Sequence, residues 1–314
     1  MASISTSRQS GILLDVGTNE LEIIEFVVGT QHFGINVAKV KQVIRWDPAM
    51  LTTMHDAPPA IPGVIYHRGK PVTLVDLKIA LGIVAEPVDE SRQLVLVTQF
   101  NDNVTAFLVD KVSRIHRVSW SQLEPLKEMM PGITSYITGS VQVPESLILV
   151  LDLEHLMYVL TPRSPEKMPT IKRDAKRSEI TILYAEDSAM IRRLTCEHLN
   201  SAGYIKLLIF ENGLKAYDKM REFHKLSLTT DQPISHFVNL VLTDIEMPKM
   251  DGLTLCKSIK QDMGHNNLPV VVYSSLINDQ MAKKCEAVGS NAHISKPNFE
   301  QIVVAIDREC GIGL

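Results

Sequence analysis

Five side chains of types suited to phosphoryl chemistry lie at the ends of four separate apolar segments. They are Glu186, Asp187, Asp244, Ser274 and Lys296. An acid placed at the mouth of an apolar run is exposed to reactants, and nearby acids, a hydroxyl and an ammonium group are the usual surroundings of a phosphoryl-accepting aspartate. The set predicts that Asp244 is such an acceptor.

The segments that position these residues alternate between the apolar pattern of a strand and that of a helix. Five short, largely apolar runs are typical of strands covered on both faces, and they span 180–185, 205–210, 237–242, 268–273 and 292–295. Helical spacing lies between them, as after the N-cap candidate Ser188. The alternation predicts an α/β doubly wound sheet of five parallel strands, with residues 227–236 as a surface insertion before the third strand.

The carboxyl ends of such strands meet at one edge of the sheet, so side chains distant in sequence are expected to converge there. Three clustered carboxylates repel one another unless a cation lies between them. Their formal charge of −3, with +1 from Lys296, leaves −2, which one Mg²⁺ cancels. We expect Asp244 to attack a phosphoryl group, Lys296 to stabilise the oxygens and Ser274 to donate a hydrogen bond to one of them.

Residues 179–314 resemble a response-regulator receiver domain. The match rests on Glu186-Asp187-Ser188, Asp244 with Met247-Pro248 and Asp251-Gly252, Ser274, and Lys296-Pro297. The resemblance implies bound Mg²⁺, phosphorylation of Asp244 from the phosphohistidine of a histidine kinase, a metal contact from the backbone carbonyl of Glu246 and a cis bond before Pro297.

Two positions depart from the receiver pattern. The switch position that is usually Tyr or Phe is His293 here, which leaves open whether it is a switch residue or a histidine without that role. Glu246 adds an acid beside the expected acyl phosphate, where it can affect the attack of water.

The first half of the chain has a different pattern of short apolar or alternating runs between Gly, Pro and polar breaks. The runs span 21–28, 33–40, 72–77, 94–100, 104–112 and 146–151. Runs of this length and spacing predict a mainly β domain of small barrels or sheets. Its sequence contains no P-loop, H-E-x-x-H or G-x-S-x-G motif, so we expect no catalytic site there.

Residues 10–160 resemble a CheW-type coupling domain, on the segments 19–26, 33–40, 61–69, 75–77, 109–112 and 148–152. The resemblance implies two small five-stranded β-barrels that bridge chemoreceptor tips to the histidine kinase CheA, within arrays that also contain CheW. It makes Val40, Gly63, Arg68 and Val112 candidate coupling positions. Alternatives remain open: Val40 and Val112 as core residues, Gly63 as a turn residue and Arg68 as a solvated or structural arginine.

The remaining composition sets the domain boundaries and the compartment. Residues 161–178 are rich in proline and charge, which is typical of a linker between domains 10–160 and 179–314. A net charge of −4 gives no general attraction to nucleic acid. Four cysteines without metal-site spacing, and no apolar segment of eighteen residues, predict a cytoplasmic protein without membrane insertion. The CheW-type resemblance implies that it is associated with receptor arrays at the inner membrane.

Three functions are compatible with these features. The first is a chemotaxis adaptor regulated by phosphorylation of Asp244, and not an enzyme beyond its own phosphoryl acceptance and dephosphorylation. The second is a phosphate sink that competes for the kinase's phosphoryl groups. The third is a turnover phosphatase with Asp244 as nucleophile and Glu246 as acid/base.

Overall fold

The computed structural model describes residues 19–84, 92–100, 103–125, 136–161 and 173–313. The first nine residues of the predicted coupling domain and positions 162–172 of the predicted linker lie outside the described residues. The strands of the first domain are β1 Glu20–Val28, β2 Gln31–Asn36, β3 Val40–Arg45, β4 Leu51–Thr53, β5 Gly63–His67, β6 Lys70–Asp76, β7 Leu94–Phe100, β8 Asn103–Val109, β9 Lys111–Ser119, β10 Glu124–Pro125, β11 Ile137–Val143 and β12 Ser146–Leu151, and its helices are α1 Leu77–Ala80 and α2 Leu153–Leu160.

These strands form two sheets, in the orders β10-β11-β12-β2-β1-β9 and β3-β7-β8-β6-β5-β4. The predicted mainly β domain is confirmed. Each sheet has six strands among the described residues, one more than expected for each barrel, and the short strands β4 and β10 stand at the sheet edges. One apolar core joins β1, β2, β7 and β8 to helix α2, whose Leu153 and Leu156 are buried in it. This packing fixes the start of α2, where Glu154 lies.

The second domain alternates strands and helices. Its elements are β13 Thr181–Ala185, α3 Ala189–Ala202, β14 Lys206–Phe210, α4 Gly213–Thr230, β15 Leu240–Thr243, α5 Gly252–Lys257, β16 Val270–Ser274, α6 Asp279–Ala287, β17 Ala292–Ser295 and α7 Phe299–Glu309. The five strands pair in parallel in the order β14-β13-β15-β16-β17. The predicted doubly wound parallel sheet is therefore confirmed.

Local signals account for most of the helix boundaries. Ser188 caps α3, since its hydroxyl accepts a hydrogen bond from the Ile191 amide at 3.5 Å. Helix α4 continues to Thr230, so the predicted insertion at 227–236 begins inside a helix and only its later residues form a connection. Leu228 in this last turn is exposed, in agreement with a surface position.

The end of the predicted linker packs against the second domain. Residues Ala175–Glu179 form a short 3-10 helix. The Arg177 guanidinium pairs with both carboxylate oxygens of Asp307, at 2.9 and 2.6 Å, and donates to the Ala202 carbonyl at 2.9 Å. Such a bidentate pair fixes the direction in which the chain enters β13. In the part of the chain that the structure describes, no helix is long and apolar enough to cross a membrane.

Candidate phosphoacceptor site

The functional side chains of the second domain come from four adjacent strands. Glu186 and Asp187 follow β13, Asp244 follows β15, Ser274 ends β16 and Lys296 follows β17. The strands are parallel and in register, with Ala185 opposite Thr243 and Ser274 opposite Ser295. The structure thus brings the acids and the lysine together at the carboxyl edge of the sheet, as the alternating pattern predicted.

Lys296 lies between two of the acids. Its Nζ atom is 2.6 Å from Oδ2 of Asp244 and 2.7 Å from Oε2 of Glu186, and all three residues are buried. Burial alone would lower the pKa of Lys296, but the negative charges of Asp244 and Glu186 raise it well above its ordinary value. The lysine therefore remains a cation in the pocket.

The acids fit a hard dication. Ligand oxygens of Glu186, Asp187 and Asp244 all lie within 4.8 Å of one another. Burial raises the pKa of Glu186 to about 7, against the opposing charge of Lys296 and with the added repulsion of Asp244. Burial and the charges of Glu186 and Asp244 also raise the pKa of Asp187 well above its ordinary value. The three carboxylates repel one another when all are ionised. A bound Mg²⁺ would stabilise their ionised forms, and their oxygens are ligands that Mg²⁺ prefers.

The backbone around Asp244 is tightly constrained. Its Oδ1 accepts a hydrogen bond from the Ile245 amide at 2.6 Å. A Cβ atom on Gly252 would lie 1.8 Å from the Asp244 carbonyl oxygen, so only glycine allows this close approach. The Gly252 amide also donates to the Ile245 carbonyl at 3.0 Å. The Asp251-Gly252 step of the sequence motif thus folds the loop back over Asp244. The Lys296-Pro297 bond is cis, as the resemblance implied.

Ser274 and His293 are not among the described residues that line the acidic cavity. Ser274 is fully buried, and its Oγ accepts a hydrogen bond from the Leu276 amide at 3.4 Å. Among the described residues, the neighbouring Ser275 lines the cavity beside the acids. His293 is half-buried on β17, opposite Val272. Neither placement tests the switch roles predicted for Ser274 and His293.

The acids open into a cavity of about 60 Å³ that both domains line. The second domain contributes the acids, Lys296, Glu246 and Ser275 among others. From the first domain come Asn36, Lys39, Trp120, Asp152 and Glu154, with several apolar neighbours. The sequence did not predict that the first domain would line the acidic pocket around Asp244.

Lys39 forms the charged centre of the contact between the domains. Its Nζ atom lies 2.7 Å from Oε2 of Glu246 and 3.0 Å from Oε1 of Glu154. Burial would lower the pKa of Lys39, but the charges of Glu246 and Glu154 raise it well above its ordinary value. Asn36 donates to the other oxygen of Glu246 at 3.0 Å, and Ser275 donates to Glu154 at 2.6 Å. The Glu246 carboxylate is therefore engaged by the first domain.

A second group of contacts holds the loop that follows Asp244. The Lys249 amide donates to the Trp120 carbonyl at 2.9 Å. The Asn19 side chain donates to the Lys249 carbonyl and accepts from the Asp251 amide, both at 3.1 Å. Asn19, Lys39 and Glu154 were not singled out from the sequence. The available signal was Glu246, an extra acid near Asp244, whose charge would need a cationic partner on burial; the sequence does not identify that partner.

The four candidate coupling positions have different surroundings. Val40 and Val112 are partly buried and pack against the apolar core, as residues with a structural role would. A Cβ atom on Gly63 would lie 2.1 Å from the Thr52 carbonyl oxygen, so glycine is required there by strand packing. Arg68 is exposed in the turn between β5 and β6, with φ of 48°, and donates to the Gln42 side chain at 2.8 Å. Arg68 is the one of the four that is exposed, so its side chain is accessible to a partner protein.

Comparison with known proteins agrees with the two folds. The CheW-like domain family matches residues 22–160, and the response regulator receiver domain family matches residues 182–307. The chemotaxis protein CheW of Rhizobium meliloti is 33% identical over 135 residues, which cover 42% of this chain and 84% of that protein.

Two relatives from Helicobacter pylori match across both domains. Chemotaxis protein CheV3 is 26% identical over 308 residues, covering 94% of this chain and 96% of its own. Chemotaxis protein CheV2 is 26% identical over 286 residues, covering 87% of this chain and 88% of its own. The chain is thus a CheW-like adaptor domain joined to a response-regulator receiver domain. It belongs to the CheV-type chemotaxis proteins.

Proposed function

We propose that this protein couples the cytoplasmic tips of chemoreceptors to the histidine kinase CheA, and that phosphorylation of Asp244 regulates this coupling. The observation that supports the regulated step most directly is the buried Asp244 carboxylate, held by Lys296 at 2.6 Å beside two further acids. The family assignment supports the coupling role. The protein would act in the cytoplasm, in receptor arrays at the inner membrane that also contain CheW.

The proposed chemistry is transfer of one phosphoryl group. The P–N bond of the kinase phosphohistidine breaks, and a P–O bond to an Asp244 carboxylate oxygen forms. Lys296 stays protonated, because Asp244 and Glu186 raise its pKa, and its ammonium group can stabilise charge on a transferring oxygen. Ser274 ends the neighbouring strand β16, next to the loop that would respond to the new charge.

The acids fit a Mg²⁺ ion as cofactor. Glu186, Asp187 and Asp244 would hold it with the backbone carbonyl of Glu246. When bound, it would offset the carboxylate charge and stabilise the negative charge that develops on the phosphoryl oxygens.

Phosphoryl transfer from CheA tests the acceptor. The full chain, incubated with radiolabelled phospho-CheA, should acquire an acyl phosphate that is labile in both acid and base, and only when Mg²⁺ is present. The Asp244→Asn variant should acquire none. Asp231→Asn is a matched control, because Asp231 is an exposed aspartate with φ of 55°, which Asn tolerates. Label that persists on Asp244→Asn would show that another residue is the acceptor.

The contacts of the Asp244 loop favour a regulated adaptor over a phosphate sink. This loop binds the coupling domain through Glu246, Lys249 and Asp251, so a change in the loop can alter that domain. A sink would need no such connection. Binding of CheA and receptor tips that is the same with and without phosphorylated Asp244 would leave only the sink.

A turnover phosphatase receives no support from these contacts. It would need the Glu246 carboxylate as acid/base, but Lys39 and Asn36 engage that group. Sustained hydrolysis of a small phosphoester, rather than one phosphate released per chain, would be the observation in its favour.

A further inference from the structure

The contacts described between the two domains converge on two loops of the receiver. The loop after β15 binds the first domain through the Glu246 carboxylate and the backbone of Lys249 and Asp251. The loop after β16 binds it through Ser275. These loops flank the phosphoacceptor, so the contact surface and the reactive site occupy the same face of the receiver.

The docked arrangement restricts access to Asp244. The cavity above the acids is about 60 Å³, which is room for on the order of four water molecules. Lys39 and Glu154 of the first domain form part of its wall. A phosphohistidine on another protein can reach Asp244 only if the surface that carries it approaches this face of the receiver. In the docked arrangement the first domain covers that face.

The charges at the contact also respond to phosphorylation. On the first-domain side, the charged groups that line the cavity are Lys39, Asp152 and Glu154, with His155 beside them. Their formal sum, counting His155 as neutral, is +1 − 2 = −1. A phosphoryl group carries about −1.5 to −2 charges, but its bond to Asp244 removes the −1 of that carboxylate, so the opposing wall gains only about −0.5 to −1. Because the receiver side of the cavity is already acidic, this added charge would increase the repulsion between the two walls.

We propose that the CheW-like domain docks on the phosphoacceptor face of the unphosphorylated receiver, that transfer from a protein donor requires undocking, and that the phosphoryl group then disfavours redocking. The inference rests on the proposed function, because it takes Asp244 as the acceptor. It adds an intramolecular partner for the receiver and names Lys39 as the residue that stabilises the docked form.

Two substitutions in the full chain should weaken docking and leave Glu186, Asp187 and Asp244 unchanged. Lys39→Met keeps the length of the side chain and removes the cation between Glu246 and Glu154. Asn19→Gly removes the side-chain contacts to the loop and permits the φ of 59° at this position. Lys41→Met is the matched control, since Lys41 lies two residues after Lys39 and is exposed on β3.

Hydrogen exchange at the Lys249 amide measures docking directly, because this amide donates to the Trp120 carbonyl of the other domain. Neither Lys39→Met nor Asn19→Gly removes that acceptor. Without phosphorylation, each should speed exchange at Lys249 by at least about tenfold, because Lys39→Met loses two charge-assisted contacts and Asn19→Gly loses two neutral hydrogen bonds. Lys41→Met should leave it unchanged. Equal exchange in wild type, Lys39→Met and Asn19→Gly would overturn the docked form.

The same measurement with phospho-CheA tests the link to phosphorylation. Wild type labelled on Asp244 should exchange its Lys249 amide faster, and Lys39→Met should accept phosphate from phospho-CheA faster than wild type. If Asp244 acquires label and exchange at Lys249 stays slow, the inference is wrong and the proposed acceptor stands. If Asp244 acquires no label in any variant, including Lys39→Met, the proposed function is wrong and the inference fails with it.

Discussion

The ammonium group of Lys296 lies 2.6 Å from Oδ2 of Asp244 in a pocket where both residues are 5% exposed. The pair joins the ends of two strands, β15 and β17, that are separated by β16 in the sheet. Lys296 also contacts Glu186 at 2.7 Å, so one cation offsets two acids. Its removal should therefore affect both phosphoryl acceptance and the charge of the pocket.

Lys296→Met should slow phosphorylation of Asp244 on the order of a hundredfold, the usual effect of losing one preorganised group that stabilises transition-state charge. The initial rate of labelling by phospho-CheA measures this. Lys283→Met, on the exposed side of α6, is the control and should react like wild type. A Lys296→Met protein that is labelled at the wild-type rate would show that Lys296 has no part in the transfer.

Gly252→Ala should destabilise the receiver domain by at least about 2 kcal/mol, because the new Cβ meets a backbone oxygen that cannot rotate away. The distance would be 1.8 Å to the Asp244 carbonyl. Gly264→Ala is the comparison: Gly264 has a φ of 74° and no neighbour within 4 Å of the added Cβ, so the cost should be about 1 kcal/mol from backbone strain alone. Calorimetric unfolding of both variants would test the difference, and equal stabilities would contradict it.

Arg68→Asn should weaken binding of the protein to receptor tips or CheA by about tenfold if the exposed guanidinium contacts a partner. Asn tolerates the φ of 48° at this turn, so the fold should not change. Phosphorylation of Asp244 by free phospho-CheA should stay at the wild-type rate. Lys70→Gln, at an exposed strand position two residues further on, is the control. Loss of both binding and phosphorylation would indicate misfolding and not a coupling role.

The stability of the CheW-like domain should depend on acid pH through Glu25. This buried carboxylate contacts His32 at 2.6 Å and His116 at 2.7 Å. Burial would raise the pKa of Glu25, but its hydrogen bonds to the two histidines and their charge hold it below 4.5. A carboxyl whose pKa is lower in the folded protein than in the unfolded chain stabilises the fold at pH values above the unfolded-state pKa. This contribution is lost as the pH falls through the folded-state pKa.

Glu25→Gln should therefore be about 1–3 kcal/mol less stable than wild type at neutral pH, and the difference should shrink as the pH falls below 4.5. Urea unfolding followed by tryptophan fluorescence follows this domain, because both tryptophans, Trp46 and Trp120, belong to it. Trp120 also lines the cavity between the domains, so its signal includes the loss of that contact. Glu20→Gln, exposed on the same strand, should show no such effect. A constant difference across the pH range would contradict the role of Glu25.

The local features of both domains could be predicted from the sequence. The runs 94–100, 146–151 and 292–295 coincide with β7, β12 and β17, because strand length and apolar pattern are local properties. Convergence of the acids followed from the sheet type, since parallel strands place their carboxyl ends at one edge. Helix α4 extended beyond its expected end, because Ser227 and Thr230 stay helical and bond the chain locally.

The contact between the domains could not be predicted in the same way. Lys39 and Glu246 are far apart in sequence and belong to domains with separate cores, so neither periodicity nor motif spacing relates them. The same holds for Asn19 and the loop backbone that it binds. The number of strands in each sheet of the first domain was also missed, because β4 and β10 have only three and two residues and give no periodic signal.

The affinity of CheA and receptor tips for the full-length protein, measured with and without phosphorylation of Asp244, tests the central claim most directly. We predict that phosphorylation changes this affinity by about tenfold, within the usual range for coupled sites. Asp244→Asn, treated in the same way, should show no change. Equal affinities for phosphorylated and unphosphorylated wild type would contradict a receiver that regulates coupling.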